Sequence, residues 1–153
     1  MNTDSYWMQI ALHEAKKAED IGEIPVGAVI IRDNEIIAGG HNLSIANKDP
    51  TAHAEIIAIR NACRSEGNYR LPETTIYVTL EPCTMCLGAM IHARIERLVF
   101  GATDSKSGVI GGAISLNKET FFNHSIQVSG GIMEEECGYI LKEFFRKRRK
   151  NSK

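Results

Sequence analysis

Two short stretches constrain this chain more than anything else in it: Thr51-Ala52-His53-Ala54-Glu55 and, further on, Thr79-Leu80-Glu81-Pro82-Cys83-Thr84-Met85-Cys86. Together they supply one imidazole, two thiols and a carboxylate left over. Any fold that uses them as a set must bring two helix starts to one point. Cysteines three residues apart at the start of a helix face the same way, so both sulfurs can reach one ion. A helix N-terminus also presents unpaired N–H groups and a positive dipole end, which favour the thiolate. Three good donors leave the fourth position of a zinc ion to water, which separates a catalytic site from a closed structural one. Glu55, two residues from His53, is placed to handle the protons of that water.

Other uses of the same residues fit less well. A Cys-x-x-Cys that follows a strand and opens a helix is also the pattern of a thioredoxin-like redox site. The chain lacks the Trp-Cys-Gly-Pro sequence of that group, and redox use leaves His53-Ala54-Glu55 without a purpose. A structural zinc site needs a fourth ligand, and neither Cys63 nor Cys137 has ligand-pair spacing; both read as small core residues. His13, His41, His92 and His124 have no comparable context and read as surface or core. Glu81 is either a support behind the ligands or an ordinary carboxylate at a strand end.

The 153 residues, 43% hydrophobic and 24% charged, suit one globular domain over 1–153. No apolar run approaches the roughly 20 residues that cross a bilayer, which excludes a helical membrane protein. The start, Met1-Asn2-Thr3-Asp4-Ser5, has no signal-peptide pattern, so the expected location is cytoplasmic. Cysteines there are reduced and serve metal or catalysis rather than disulfides. The net charge of −1 is uneven: residues 146–153 hold six basic residues and no acid, leaving 12 basic against 19 acidic elsewhere. A basic end (144–153) on an acidic body suits a polyanionic partner, and equally a solvated helix terminus.

Periodicity predicts a helix over 5–20, capped by Asp4 or Ser5 and ended by Gly22, with Trp7, Ile10, Ala11, Ala15 and Ala18 on its apolar stripe. Val26–Ile31, the turn Asp33-Asn34 and Glu35–Ala38 predict a hairpin, with Gly39-Gly40 loosening its second strand. Asp49-Pro50-Thr51 reads as a helix start, putting His53 and Glu55 in about its first turn. Thr75–Leu80 is a third strand feeding a helix over Cys83–Ala93, and Leu98–Gly101 a fourth, parallel to the third. Residues 102–124 have too little periodicity to assign, and a loop of that length is usually functional. Ile126 and Val128 mark a short fifth strand, and Met133–Arg149 a last helix with Ile140, Leu141, Phe144 and Phe145 toward its apolar side. The order implies an α/β fold, three layers α-β-α around a mixed five-stranded sheet. Met85, Met90, Ile91 and Ile95 are candidates for a subunit face.

The His-x-Glu and Pro-Cys-x-x-Cys pair is the signature of zinc-dependent nucleobase deaminases. Over nearly its whole length the chain resembles bacterial tRNA-specific adenosine deaminases of the cytidine deaminase-like superfamily. The match runs through Pro25-Val26-Gly27-Ala28-Val29, Asp49 to Glu55, Tyr77 to Cys83 and Cys86-x-Gly88-Ala89-Met90-Ile91. It continues in Arg94-Ile95, Phe100-Gly101-Ala102-x-Asp104-x-Lys106-x-Gly108, Asn123-His124 and Phe144-Phe145-Arg146. The resemblance implies one Zn2+ per subunit on His53, Cys83 and Cys86, with Glu55 as proton shuttle. It implies a flipped nucleoside held at Asn42 and Ala54, and neighbouring nucleotides at Asp104, Lys106 and Asn123. Phe144, Phe145, Arg146 and Arg149 would meet a tRNA anticodon stem-loop, although both phenylalanines also fit a core role. The implied product is inosine at the wobble position, and the implied assembly a homodimer. A small-molecule deaminase of guanine or a cytosine compound would use the same zinc pocket. Val109-Ile110-Gly111-Gly112 and Thr120-Phe121-Phe122 depart from the family pattern.

Overall fold

The computed structural model describes residues 1–151; Ser152 and Lys153, the end of the basic tail, lie outside them. The first helix, α1 (Asp4–Asp20), is capped by Thr3, whose hydroxyl accepts the Tyr6 N–H, rather than by Asp4 or Ser5. Strands β1 (Gly27–Arg32) and β2 (Glu35–His41) form the hairpin. Asp33 and Asn34 both take positive φ, the conformation that lets a two-residue turn match strand twist. Then come α2 (Ala54–Glu66), β3 (Thr75–Leu80), α3 (Thr84–His92), β4 (Arg97–Ala102), β5 (Gln127–Ser129) and α4 (Glu134–Asn151). A short 3-10 turn at Leu116–Lys118 is the regular structure of the long β4–β5 connection.

The sheet order is β2-β1-β3-β4-β5; β1 is antiparallel to both neighbours, and β3, β4 and β5 are parallel. Four strands therefore point one way, and α2 and α3 both begin at the end to which β2 and β3 run. Alternating strand residues split the core in two. Ala28, Ile30, Ile76, Val78, Leu98 and Phe100 pack with α2 and α3. Val29, Ile31, Tyr77 and Val99 pack with Trp7, Met8 and Ala11 of α1 and Cys137 of α4. The expected α-β-α layering is present, and its buried strands read as nearly continuous apolar runs because both faces are covered.

Several expectations need revision. Gly39 and Gly40 do not loosen β2, which runs on to His41. A Cβ on Gly40 would stand 2.6 Å from the Ala58 backbone nitrogen, so that glycine lets α2 lie against the sheet. Helix α2 starts at Ala54, not near Pro50; Asp49 instead closes a turn by accepting the Thr51 N–H and hydroxyl. Met90, Ile91 and Ile95 are core residues and cannot form a subunit face; of the four named, Met85 alone is partly exposed. Cys137 is buried as expected, and Cys63 only partly so.

Across the sheet from the helix starts, Asp4 ties α1 to three strands. It accepts two hydrogen bonds from Arg97, at 2.9 and 2.7 Å, and one from the Tyr77 hydroxyl at 2.7 Å. Arg97 also donates to Ser129 Oγ at 3.1 Å, reaching β5. No helix among the described residues is long and apolar enough to cross a membrane.

Candidate active site

His53 and Cys83 occupy the N-cap positions of α2 and α3, and neither side chain caps its helix. The cap position, rather than the first turn, is what frees both side chains for a ligand. Cys86 sits three residues on, fully buried. His53 Nδ1 lies 3.6 Å from Cys83 Sγ and 3.5 Å from Cys86 Sγ, and the three donor atoms fall within 4.8 Å of one another. Zinc at about 2.3 Å from sulfur and about 2.0–2.1 Å from nitrogen, with tetrahedral angles, requires an N···S separation of about 3.6 Å. The donors fit the ion in kind, number and spacing.

The electrostatics of the three donors point the same way. A hydrogen bond from Cys86, against the cost of burial, lowers the Cys83 thiol to about 4. The same bond raises Cys86, and burial adds to the rise. A bound dication favours the deprotonated form of both sulfurs, since the ligand form of cysteine is the thiolate. His53 is raised by its hydrogen bond to Cys83. Glu55, 4% exposed, has its carboxyl raised by burial first, with the negative Cys83 adding to it. That shift makes its carboxylate a stronger base than an exposed one, as a proton shuttle requires.

Glu55 shares a cavity of about 200 Å³ with Ile24, Val26, Asn42, His53, Leu80, Glu81, Cys83, Asp104 and Ser107. Ile24, Leu80, Asp104 and Ser107 also line a groove of about 700 Å³ that continues past Lys106 to Leu141, Lys142 and Phe145. Lys106, Lys142, Phe145 and Arg149 border its far end. The route thus leads from the three donors, over two apolar residues, to a basic and aromatic stretch of α4.

The remaining residues expected to bind substrate are distributed unevenly. Asn42 faces the cavity but is already engaged: its Oδ1 accepts the Ala54 N–H at 2.8 Å and its Nδ2 donates to Ile24 O at 3.0 Å. One amide hydrogen and one lone pair stay available. Ala54 is fully buried, gives its N–H to Asn42 and does not line the cavity. Phe144 turns the other way, toward Glu19 and Asp20 of α1, with Arg148 above its ring, while Phe145 faces the groove. Arg146 pairs with Glu143 on its own helix. Asn123 is exposed beside His124, whose ring meets the Ile95 carbonyl at the far end of the sheet. Neither Arg146 nor Asn123 lines the cavity or the groove.

Two further buried carboxylates each hold a loop by its backbone N–H groups. Glu23, 2% exposed, accepts the N–H groups of Ile45 and Ala46 at 3.1 and 2.7 Å. Glu81, 3% exposed, accepts those of Asp104, Ile110 and Gly112 at 2.9, 2.8 and 2.8 Å. Sequence reasoning weighed Glu81 without its partners and passed over Glu23, whose one signal is an acid between Gly22 and the apolar Ile24-Pro25-Val26.

A parallel-ended sheet with two helix starts, an N/S/S donor triad and a buried free carboxylate defines a zinc-dependent deaminase domain. The family described as the cytidine and deoxycytidylate deaminase zinc-binding region matches residues 1–102. The tRNA-specific adenosine deaminase of Haemophilus influenzae is 54% identical over 98% of this chain and 87% of its own length. That of Bacillus subtilis is 48% identical over 100% and 95%. A solved structure from a study of A-to-I editing by tRNA:A34 deaminases superposes with a TM-score of 0.87 at 42% identity, covering 90% of this chain and 99% of that one. The chain belongs to the tRNA-specific adenosine deaminase family.

Proposed function

We propose that this protein hydrolyses adenosine to inosine at the wobble position of a tRNA anticodon loop. The observation that carries the reading is the continuity of the donor triad and Glu55 with a groove ending at Lys106, Lys142, Phe145 and Arg149. A free base needs only the inner cavity. A basic and aromatic extension suits a substrate with phosphates to neutralise and neighbouring bases to stack. The activity named for relatives at 54% and 48% identity supports the same substrate.

His53, Cys83 and Cys86 would hold zinc, which supplies Lewis acidity and eases ionisation of water at neutral pH. Glu55 takes a proton from the water that attacks C6 of the flipped adenine and delivers it to N1. It then carries the hydroxyl proton to the 6-amino group, which leaves as ammonia. Burial serves this cycle, because a carboxylate whose pKa is raised is a stronger base and takes the proton of the attacking water more readily than an ordinary one. Asn42 keeps one donor and one acceptor for the nucleoside and, by holding Ala54, keeps His53 in place. Asp104, Lys106, Phe145 and Arg149 are the groove contacts this reading assigns. It gives no direct role there to Asn123, Phe144 or Arg146.

One catalytic domain over 1–153, a homodimer and a cytoplasmic location complete the proposal, carried by family resemblance; sedimentation of the zinc-loaded protein checks the assembly. The test of function is incubation with an anticodon stem-loop and, separately, with free guanine and cytosine compounds. Inosine by mass spectrometry and stoichiometric ammonia from the stem-loop are expected. Ammonia from free bases alone would overturn the tRNA assignment.

A further inference from the structure

We propose that Glu81 is a positioning residue for substrate: it holds the backbone of the 104–112 loop and so sets the shape of one wall of the groove. The idea rests on the reading of that groove as the RNA site.

The loop is built around this carboxylate. Oε1 accepts the Asp104 N–H, and Oε2 accepts those of Ile110 and Gly112. A Cβ on Gly112 would stand 2.5 Å from Glu81 Oε1 and 2.2 Å from the Asp104 carbonyl oxygen, and one on Gly108 would stand 2.3 Å from Glu81 Cδ. The two glycines therefore bring the chain into contact with the carboxylate from above, while three N–H groups engage it. Within the loop, Asp104 Oδ1 accepts the N–H groups of Lys106 and Ser107, so the turn that presents Lys106 starts from the residue Glu81 holds. Asp104 and Ser107 line both the inner cavity and the groove. Glu81 borders the cavity as well, but both its oxygens are committed to the backbone, which leaves proton transfer to Glu55. A second loop is held in the same manner, its Ile45 and Ala46 N–H groups given to Glu23.

Glutamine at position 81 has nearly the same shape but carries an NH2 where one oxygen was. Whichever way it turns, a donor then faces at least one backbone N–H, and the loop is released on that side. Loosening this wall weakens the grip on nucleotides beside the target base without touching the metal ligands or Glu55. That is a loss of uniform binding, read in KM and not in kcat.

The experiment compares zinc-loaded wild type, Glu81→Gln, Gly112→Ala and the double variant. Glu81→Gln should speed exchange of the Asp104, Ile110 and Gly112 amides by about tenfold or more, while the Leu87 amide in α3 and the zinc content stay as in wild type. On the anticodon stem-loop, KM should rise about tenfold with kcat changed less than about threefold. Gly112→Ala, which pushes on the same contact from the other side, should reproduce that split, and the double variant should be far less than additive. An unchanged KM, or a kcat loss at constant KM, overturns the proposal, as does unaltered amide exchange. Should Glu81→Gln fail to fold, Gly112→Ala decides alone on the same criteria. If wild type itself leaves the stem-loop untouched, the RNA reading fails, and the proposed role in substrate binding falls with it.

Discussion

Asn42 Oδ1 accepts the Ala54 N–H at 2.8 Å, and this bond fixes the start of α2, one residue after the His53 ligand. Ala54 is fully buried, so cutting the side chain back removes the protein partner of an N–H that lies inside the structure. Leaving such an N–H unpaired costs about 1–3 kcal/mol, or roughly 2–12 °C in melting temperature for a domain of this size. Asn42→Ala should therefore melt lower by that amount and bind zinc more weakly, because His53 loses its fixed backbone. Calorimetry of the zinc-loaded protein with metal analysis checks this. A variant with wild-type melting and full zinc would show that α2 is held in place by other means.

Among the described buried acids, Glu23 and Glu81 are committed to loop N–H groups, whereas Glu55 lines the cavity beside the triad. Glu55→Ala should retain stoichiometric zinc and bind the stem-loop, yet lose about 10²–10⁴ or more in turnover. Stripping zinc from wild type with a chelator should abolish activity and lower the melting temperature, and adding zinc back should restore both. Inosine formation at an unchanged rate in Glu55→Ala would remove it from the proton path.

Much of this was readable from local chemistry. The metal donors, Glu55 and the strand–helix order follow from residue type and spacing, and the parallel β3–β4 pair from the single helix between them. Other features depend on neighbours remote in sequence. Gly40 reads as a loosened strand until α2 is seen lying on it. The boundary at Asp49-Pro50-Thr51 misled because an aspartate before proline starts turns and helices with equal ease. Met90, Ile91 and Ile95 look like a spare apolar face until Met90 and Ile95 are seen in the core beneath the sheet and Ile91 under Val109 of the long loop. Glu23 and Glu81 were opaque because their partners are backbone N–H groups, which every residue but proline carries.

Asp4 offers a test of stability against pH, remote from the metal. Hydrogen bonding to Arg97, with Tyr77 adding to it, lowers its carboxyl below the ordinary 3.8. The folded state therefore binds this proton more weakly than the unfolded state. Stability from Asp4 is fully present above its unfolded value and is lost as pH falls through the lower, folded value. Asp4→Asn should cost stability at pH 7 and flatten the acid side of the curve below about pH 4. Denaturant titrations from pH 2 to 7 on both proteins measure it. Parallel curves, offset by a constant, would mean that Asp4 contributes shape and not charge.

Lys106 and Lys142 border the groove with Phe145 and Arg149, and salt dependence separates a phosphate-binding role from a solvated one. Each phosphate neutralised on a single strand contributes a slope of about −0.7 in log K against log salt. Three cations at the groove predict a slope near −2 for the anticodon stem-loop. Lys142→Ala should weaken binding and reduce the slope by about 0.7, and Lys106→Ala should do likewise. Glu55→Ala should leave the slope alone, since it lies at the base pocket and not beside a phosphate. Fluorescence anisotropy with a labelled stem-loop, titrated at several salt concentrations, gives all these slopes. If the Lys106→Ala, Lys142→Ala double variant keeps the wild-type slope, the strand takes another path across the surface, and the short basic run at the end of α4 becomes the next place to look.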